Sequence, residues 1–160
     1  MLNITIICVG KLKEQYLRDA VTEYTKRLSS SCKLSIIELN AERLSDNPSE
    51  KEIENALKSE GRSIIDKIPK GSTVYTMCVE GKQRTSEELS REIDSLTANG
   101  VSSITFIIGG SFGLSDEVKK LSSQRLSMSK MTFPHQLFRV MLLEQLYRCM
   151  QISLGTRYHK

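Results

Sequence analysis

The segment Leu2-Asn3-Ile4-Thr5-Ile6-Ile7-Cys8-Val9 constrains the fold most, because its side chains are almost continuously apolar, largely β-branched, and stopped by Gly10. A strand wetted on one face alternates apolar and polar positions, whereas a strand covered on both faces need not. The run therefore predicts a buried strand of a parallel sheet, which requires helical crossovers. They follow. Glu14 to Leu28 carries Leu17, Val21, Tyr24 and Leu28 at helical spacing, then a Ser29-Ser30-Ser31 turn and a second strand from Leu34 to Leu39. Asn40 to Pro48 is polar and turn-rich, the segment best suited to move. Ser49 with Glu52 three positions on reads as a capping box opening a helix to about Lys67. A third strand is expected over Thr73 to Val79, a helix from Thr85-Ser86-Glu87-Glu88 to Ala98, and a fourth strand over Ile104 to Ile108. A short helix after Ser115, a weak strand at Leu126 to Ser129 and a helix opened by Pro134 and running to about Leu154 complete the pattern. The expectation is one α/β domain over residues 1–160, with a mostly parallel sheet, helices on both faces and right-handed crossovers.

The last helix is apolar around more than one stripe, through Leu137, Val140, Met141, Leu143, Leu146, Tyr147 and Met150. A helix lying on one sheet face needs a stripe of only roughly 100°. Burial on two sides, by the sheet and by a partner subunit, is the expected reason. The net charge of +4 is compatible with nucleic acid, but no segment has the dense Lys/Arg clustering of a dedicated RNA-binding tail. Cys8, Cys32, Cys78 and Cys149 form no CxxC pair and follow no secretory signal, which points to reduced, mostly buried thiols of a cytoplasmic protein rather than zinc ligands or disulfides. No apolar run approaches the about 20 residues of a membrane-spanning helix.

Ligands of open parallel sheets gather outside the carboxyl ends of the strands. Three loops qualify here: Glu80 to Arg84, Gly109 to Gly113, and Ser129 to His135. Gly109-Gly110-Ser111-Phe112-Gly113 is either a tight turn or a place where backbone approaches a ligand closely. It is neither GxGxxG nor a P-loop, which argues against a nucleotide hydrolase or a dinucleotide enzyme. Met128 and Met131 suit a core as well as a site. His135 and Arg139 share a helical face, either solvated at the helix start or lining a site. In the tail Gly155 to Lys160, Arg157 can hold phosphate, while Tyr158 and His159 offer a hydrogen-bonding and proton-accepting pair if the tail folds over a site rather than fraying.

Four motifs, in order over nearly the whole chain, carry a resemblance: Val9-Gly10-Lys11-Leu12-Lys13-Glu14; Ile107-Ile108-Gly109-Gly110-Ser111-Phe112-Gly113-Leu114; Leu126 through Gln136; and Tyr158-His159-Lys160. The chain resembles the bacterial ribosomal RNA large subunit methyltransferase H family, the smallest of the SPOUT class. The resemblance implies a C-terminal deep trefoil knot. It also implies S-adenosyl-L-methionine (SAM) held by Met77, Gly109, Met128, Ser129, Lys130, Met131, Thr132 and Phe133. The implied reaction is methylation of N3 of a pseudouridine in 23S rRNA on the assembled 70S ribosome, by a homodimer in which one subunit's tail covers the other's pocket. On that reading the catalytic candidates are His135, Arg139, Tyr158 and His159. His159 is the possible base, and Arg139 and Arg157 are ligands for phosphate or uracil oxygens. Transfer from a sulfonium needs no Lewis acid, so no metal is expected, and no membrane role. A ribosome-binding factor without chemistry and a transfer RNA methyltransferase are the competing readings.

Overall fold

The computed structural model describes residues 1–159; Lys160, the last residue of the closing motif, lies outside them. Five strands alternate with five helices: β1 (Leu2–Val9), α1 (Gln15–Leu28), β2 (Cys32–Leu39), α2 (Glu50–Lys67), β3 (Thr73–Gln83), α3 (Ser86–Ala98), β4 (Ser103–Ile108), α4 (Asp116–Leu121), β5 (Gln124–Ser127) and α5 (His135–Ser153). The sheet order is β2-β1-β4-β3-β5, and every pairing is parallel. β1 is central and Ile4 through Val9 are all buried, which is why its sequence does not alternate.

The two sheet faces are covered unequally. Ile4, Ile6 and Cys8 of β1 join Tyr75, Met77, Phe106 and Ile108 in the larger core, under α1, α3 and α5. Ile7, Val9, Val74 and Ile107 form a smaller core with Ile64 of α2 and Val118 of α4. α5 lies between α1 and α3, with Leu142, Leu143, Leu146 and Cys149 buried. Two flanking helices from its own chain therefore account for much of the all-round apolarity, in addition to the sheet; Leu137 remains 40% exposed.

The helix starts obey the local signals. Ser49 and Thr85 each accept from the backbone N–H three residues on, and Glu52 and Glu88 return the bond, so both capping boxes form. Pro134 stands at the start of α5, where no side-chain cap forms. β3 departs from the expected strand. Both Met77 and Lys82 pair with Leu126, so Cys78 to Gly81 leave the ladder and the strand resumes to Gln83. A Cβ on Gly81 would stand 2.7 Å from the Arg125 carbonyl carbon, which is why glycine closes the excursion. β5 also lies two residues earlier than its apolar pattern suggests, leaving Met128 and Ser129 in the following loop. Cys8, Cys32 and Cys149 are buried and all four thiols are free; burial pushes the Cys8 and Cys32 thiols up to about 11.

Candidate active site

At the carboxyl ends of β3, β4 and β5 lies a cavity of about 230 Å³. Its walls come from three chain segments. Met77 and the Cys78-Val79 excursion form one side, Ile108 to Gly110 with Ser111 and Gly113 a second, and Met128 to Phe133 with His135 and Phe138 the third. The glycine loop is both a tight turn and a wall: Gly113 donates to the Gly110 carbonyl at 3.0 Å and adopts φ +81°, which glycine tolerates. A Cβ on Gly109 would sit 2.4 Å from the Gly113 carbonyl oxygen, so this position excludes any side chain and leaves bare backbone at the cavity.

The third wall is braced from within. Ser127 Oγ donates to the Ser129 carbonyl at 3.0 Å, and Ser129 Oγ accepts from the Met131 N–H at 3.0 Å. Such local bonds hold a loop in one shape before any ligand arrives. Of the eight residues expected to hold a cofactor, seven line the cavity; Lys130 is exposed and does not. Met77 sits within β3, as the expected strand over Thr73 to Val79 implies, and is 9% exposed.

The four catalytic candidates fall into three different places. His135 lines the cavity. Burial first, then the charges of Arg139 and Lys13, push its imidazole pKa below the ordinary value of 6.5, so the ring is neutral and proton-accepting at neutral pH. Arg139 shares the helix but not the cavity. It is 1% exposed, with Nη1 donating to Glu38 Oε2 at 2.6 Å and Nη2 to the Gly10 carbonyl at 3.0 Å, while Nε has no partner. Shielded and engaged in this way, it cannot reach a phosphate or a uracil oxygen; it ties α5 to the ends of β1 and β2. Gln136 reinforces the tie by accepting from the Lys13 N–H at 2.9 Å.

Tyr158 and His159 fold back over their own helix instead of over their own cavity. Tyr158 Oη donates to Glu144 at 2.9 Å and its ring meets Tyr147 edge-on at 4.8 Å. His159 Nε2 lies 2.6 Å from Glu87, and its Nδ1 lies 3.2 Å from Arg148 Nη1. Burial works against ionisation of Glu144, but hydrogen bonds from Tyr24, Arg148 and Tyr158 outweigh it and hold the carboxyl below its usual range. Arg157 is exposed. Among the described residues, no three His, Cys, Asp or Glu side chains gather in a metal-ligating group, and no helix is long and apolar enough to cross a membrane.

A family model described as "Predicted SPOUT methyltransferase" matches residues 2–159. The chain belongs to the SPOUT methyltransferase family. The resemblance read from four short motifs thus extends along the described chain. Among relatives of this SPOUT protein, one from Clostridium beijerinckii (strain ATCC 51743 / NCIMB 8052) is 55% identical over 159 residues, covering 99% of this chain and 100% of the relative. Another, from Clostridium botulinum (strain Eklund 17B / Type B), is 54% identical with the same coverage. Both are named Ribosomal RNA large subunit methyltransferase H. The fold also matches a crystal structure described as a probable methyltransferase from Bordetella pertussis Tohama I, with a TM-score of 0.57 at 11% identity, over 92% of this chain and 95% of that one. A Legionella pneumophila protein solved in complex with the bound cofactor SAM matches with a TM-score of 0.50 at 13% identity, over 95% of this chain and 66% of that one.

Proposed function

We propose that this SPOUT methyltransferase uses SAM to methylate N3 of a pseudouridine in large-subunit (23S) rRNA, on the assembled ribosome in the cytoplasm. The observation that carries the reading is full-length identity above one half with relatives bearing the rRNA methyltransferase name. The cavity suits the cofactor on physical grounds. Bare backbone at Gly109 offers hydrogen bonds to the edge of an adenine, and Ile108, Met77 and Met128 offer apolar contact to a flat ring and a thioether-like chain. The hydroxyls of Ser129 and Thr132 and the backbone from Met131 to Phe133 supply polar contacts at the third wall, while exposed Lys130 belongs at the rim. When bound, SAM supplies a methyl group already activated by its sulfonium.

What the protein adds is alignment, exclusion of water and a destination for the N3 proton. Among the described residues, besides Cys78, whose thiol burial pushes up, His135 is the one titratable side chain on the cavity wall. It is neutral and therefore the proton acceptor in this reading, with Arg139 a positioning residue behind it. Tyr158 and His159 have their role at a partner's cavity, in a homodimer that covers the exposed Leu137 side of α5; that neither lines its own cavity supports this reading. The threaded trefoil path belongs to the same proposal, on the strength of the family.

The test is transfer of labelled methyl from SAM to assembled ribosomes that lack the modification, with free subunits and bulk transfer RNA alongside. Label in large-subunit rRNA, only when assembled ribosomes are supplied, is the expected result. Label in transfer RNA would move the acceptor, and SAM binding without label in any RNA would leave a binding factor.

A further inference from the structure

Beside the cofactor cavity lies a second chamber of about 270 Å³. Gly110, Ser111 and His135 line both spaces, so the two adjoin along one wall. The chamber sits where Val9 ends β1 and Gly110 follows β4. Those neighbouring strands feed helices on opposite sheet faces: α1 packs into the larger core and α4 into the smaller. Such a divergence opens a crevice at the carboxyl edge of a parallel sheet and is its usual place for a ligand.

Its chemistry is unlike that of the cofactor cavity. Phe112, at the tip of the glycine loop, lines the chamber and leaves 49% of its surface exposed, an aromatic face without a full cover. The carboxylates of Glu42, on the loop after β2, and Glu60, on α2, line the same chamber. They are held in place: Glu60 Oε2 accepts from the Glu42 N–H at 2.9 Å and Glu42 Oε1 from Ser59 Oγ at 2.6 Å. Two carboxylates repel a phosphate but accept hydrogen bonds from ring N–H groups. An aromatic face with polar acceptors at the side is how proteins hold an unstacked base.

We propose that this chamber receives the acceptor nucleobase, a uracil-type pyrimidine lifted from its RNA stack, with Phe112 as its stacking face and Glu60 and Glu42 as acceptors for the ring N–H that is not methylated, which leaves the reacting nitrogen toward His135. The assignment rests on the methyl-transfer reading above. The two spaces meet at Gly110, Ser111 and His135, so the acceptor nitrogen faces the methyl donor directly at that junction, with His135 beside it to take the proton. Arg43, exposed on the loop beside Glu42, is then placed outside the chamber, on the side where the sugar-phosphate chain leaves.

The test uses the full-length protein and two readouts, SAM affinity by calorimetry and methyl transfer to unmodified ribosomes. Phe112→Ala is expected to lower transfer at limiting ribosome about tenfold, with Phe112→Tyr restoring it. Ala41→Trp and Ser45→Trp, which fill the chamber from exposed loop positions, are expected to lower transfer at least as far. In each case SAM affinity should stay within about twofold of wild type, which also reports an intact fold. Transfer unchanged in Phe112→Ala and both tryptophan variants overturns the proposal. So does a parallel loss of SAM affinity, which would make the chamber part of the donor site. If the wild-type protein binds SAM but labels no RNA, it is the methyl-transfer reading that has failed, before the chamber is put to the test.

Discussion

The two ends of α5 treat their polar side chains in opposite ways. At the N-terminal end, Arg139 is withdrawn from solvent and its partners, Glu38 and the Gly10 carbonyl, lie 101 and 129 residues away in the chain. At the C-terminal end, Glu144, Arg148, Tyr158 and His159 bond chiefly to one another, with Tyr24 and Glu87 as the partners from other helices, and the charged pair Arg148–Glu144 keeps side-chain exposures of 26% and 19%. The first arrangement fixes a wall of the site to the sheet. The second is a partly solvated, locally built contact, which water can replace at little cost. Under the proposed function, in which the donor cavity is rigid and the tail serves a partner, that asymmetry is what the chemistry asks for.

Breaking the buried end should cost most. Glu38→Ala strands the Arg139 guanidinium, and urea unfolding should report a loss of about 3 kcal/mol, the low end for a buried pair broken at one partner because the Glu38 side chain is 37% exposed. A loss no larger than that of a surface ion pair would erase the contrast between the ends. Next comes His135→Ala, expected to slow methyl transfer at saturating SAM about hundredfold; an unchanged rate removes His135 as proton acceptor. The pH dependence sharpens the same point. Because the folded ring has its pKa lowered, its neutral, active form persists on acidification, and the acid limb of the rate should fall below pH 6.5. Arg139→Met, which removes one of the charges responsible, should move that limb upward.

The solvated end should respond least in stability. Tyr158→Phe, which deletes the Glu144 bond, should shift unfolding by about 1 kcal/mol or less. His159→Ala should be equally mild in the fold, yet if the tail serves a partner's cavity it will lower transfer. Mixing a Gly109→Ala protein with one lacking residues 155–160 should then recover some activity through mixed dimers. No recovery would confine each tail to its own subunit.

What the sequence made legible was whatever short-range rules decide. The continuous apolar run at β1, the Ser49 and Thr85 capping boxes and the glycine loop are written in neighbouring residues, and the cavity grew from the loops those elements imply. What it hid was set by distant partners. Nothing near Arg139 announces that Glu38 will lie beside it, so a buried tie resembled a site residue. The Cys78 to Gly81 excursion depends on how β5 packs along β3, and Gly81 alone was its signal. The second chamber went unread because Glu60 looks like any helical glutamate and Phe112 was overshadowed by its glycine neighbours; a half-exposed phenylalanine in a loop too tight to bury it was the available clue.

The sheet order also sets a schedule for folding. β4 pairs with both β1 and β3, which do not touch each other, and β5 pairs only with β3. A nascent chain that has not yet emerged through Ser103–Ile108 holds β1 beside β2 and a third strand with nowhere to join. The halves of the sheet can be united only when one short late strand slides between them, closing loops from both directions at once. Such distant pairings make a fold slow to complete. Both the cavity and the chamber beside it are bounded by the loop that follows that strand, so neither can be complete before β4 has paired.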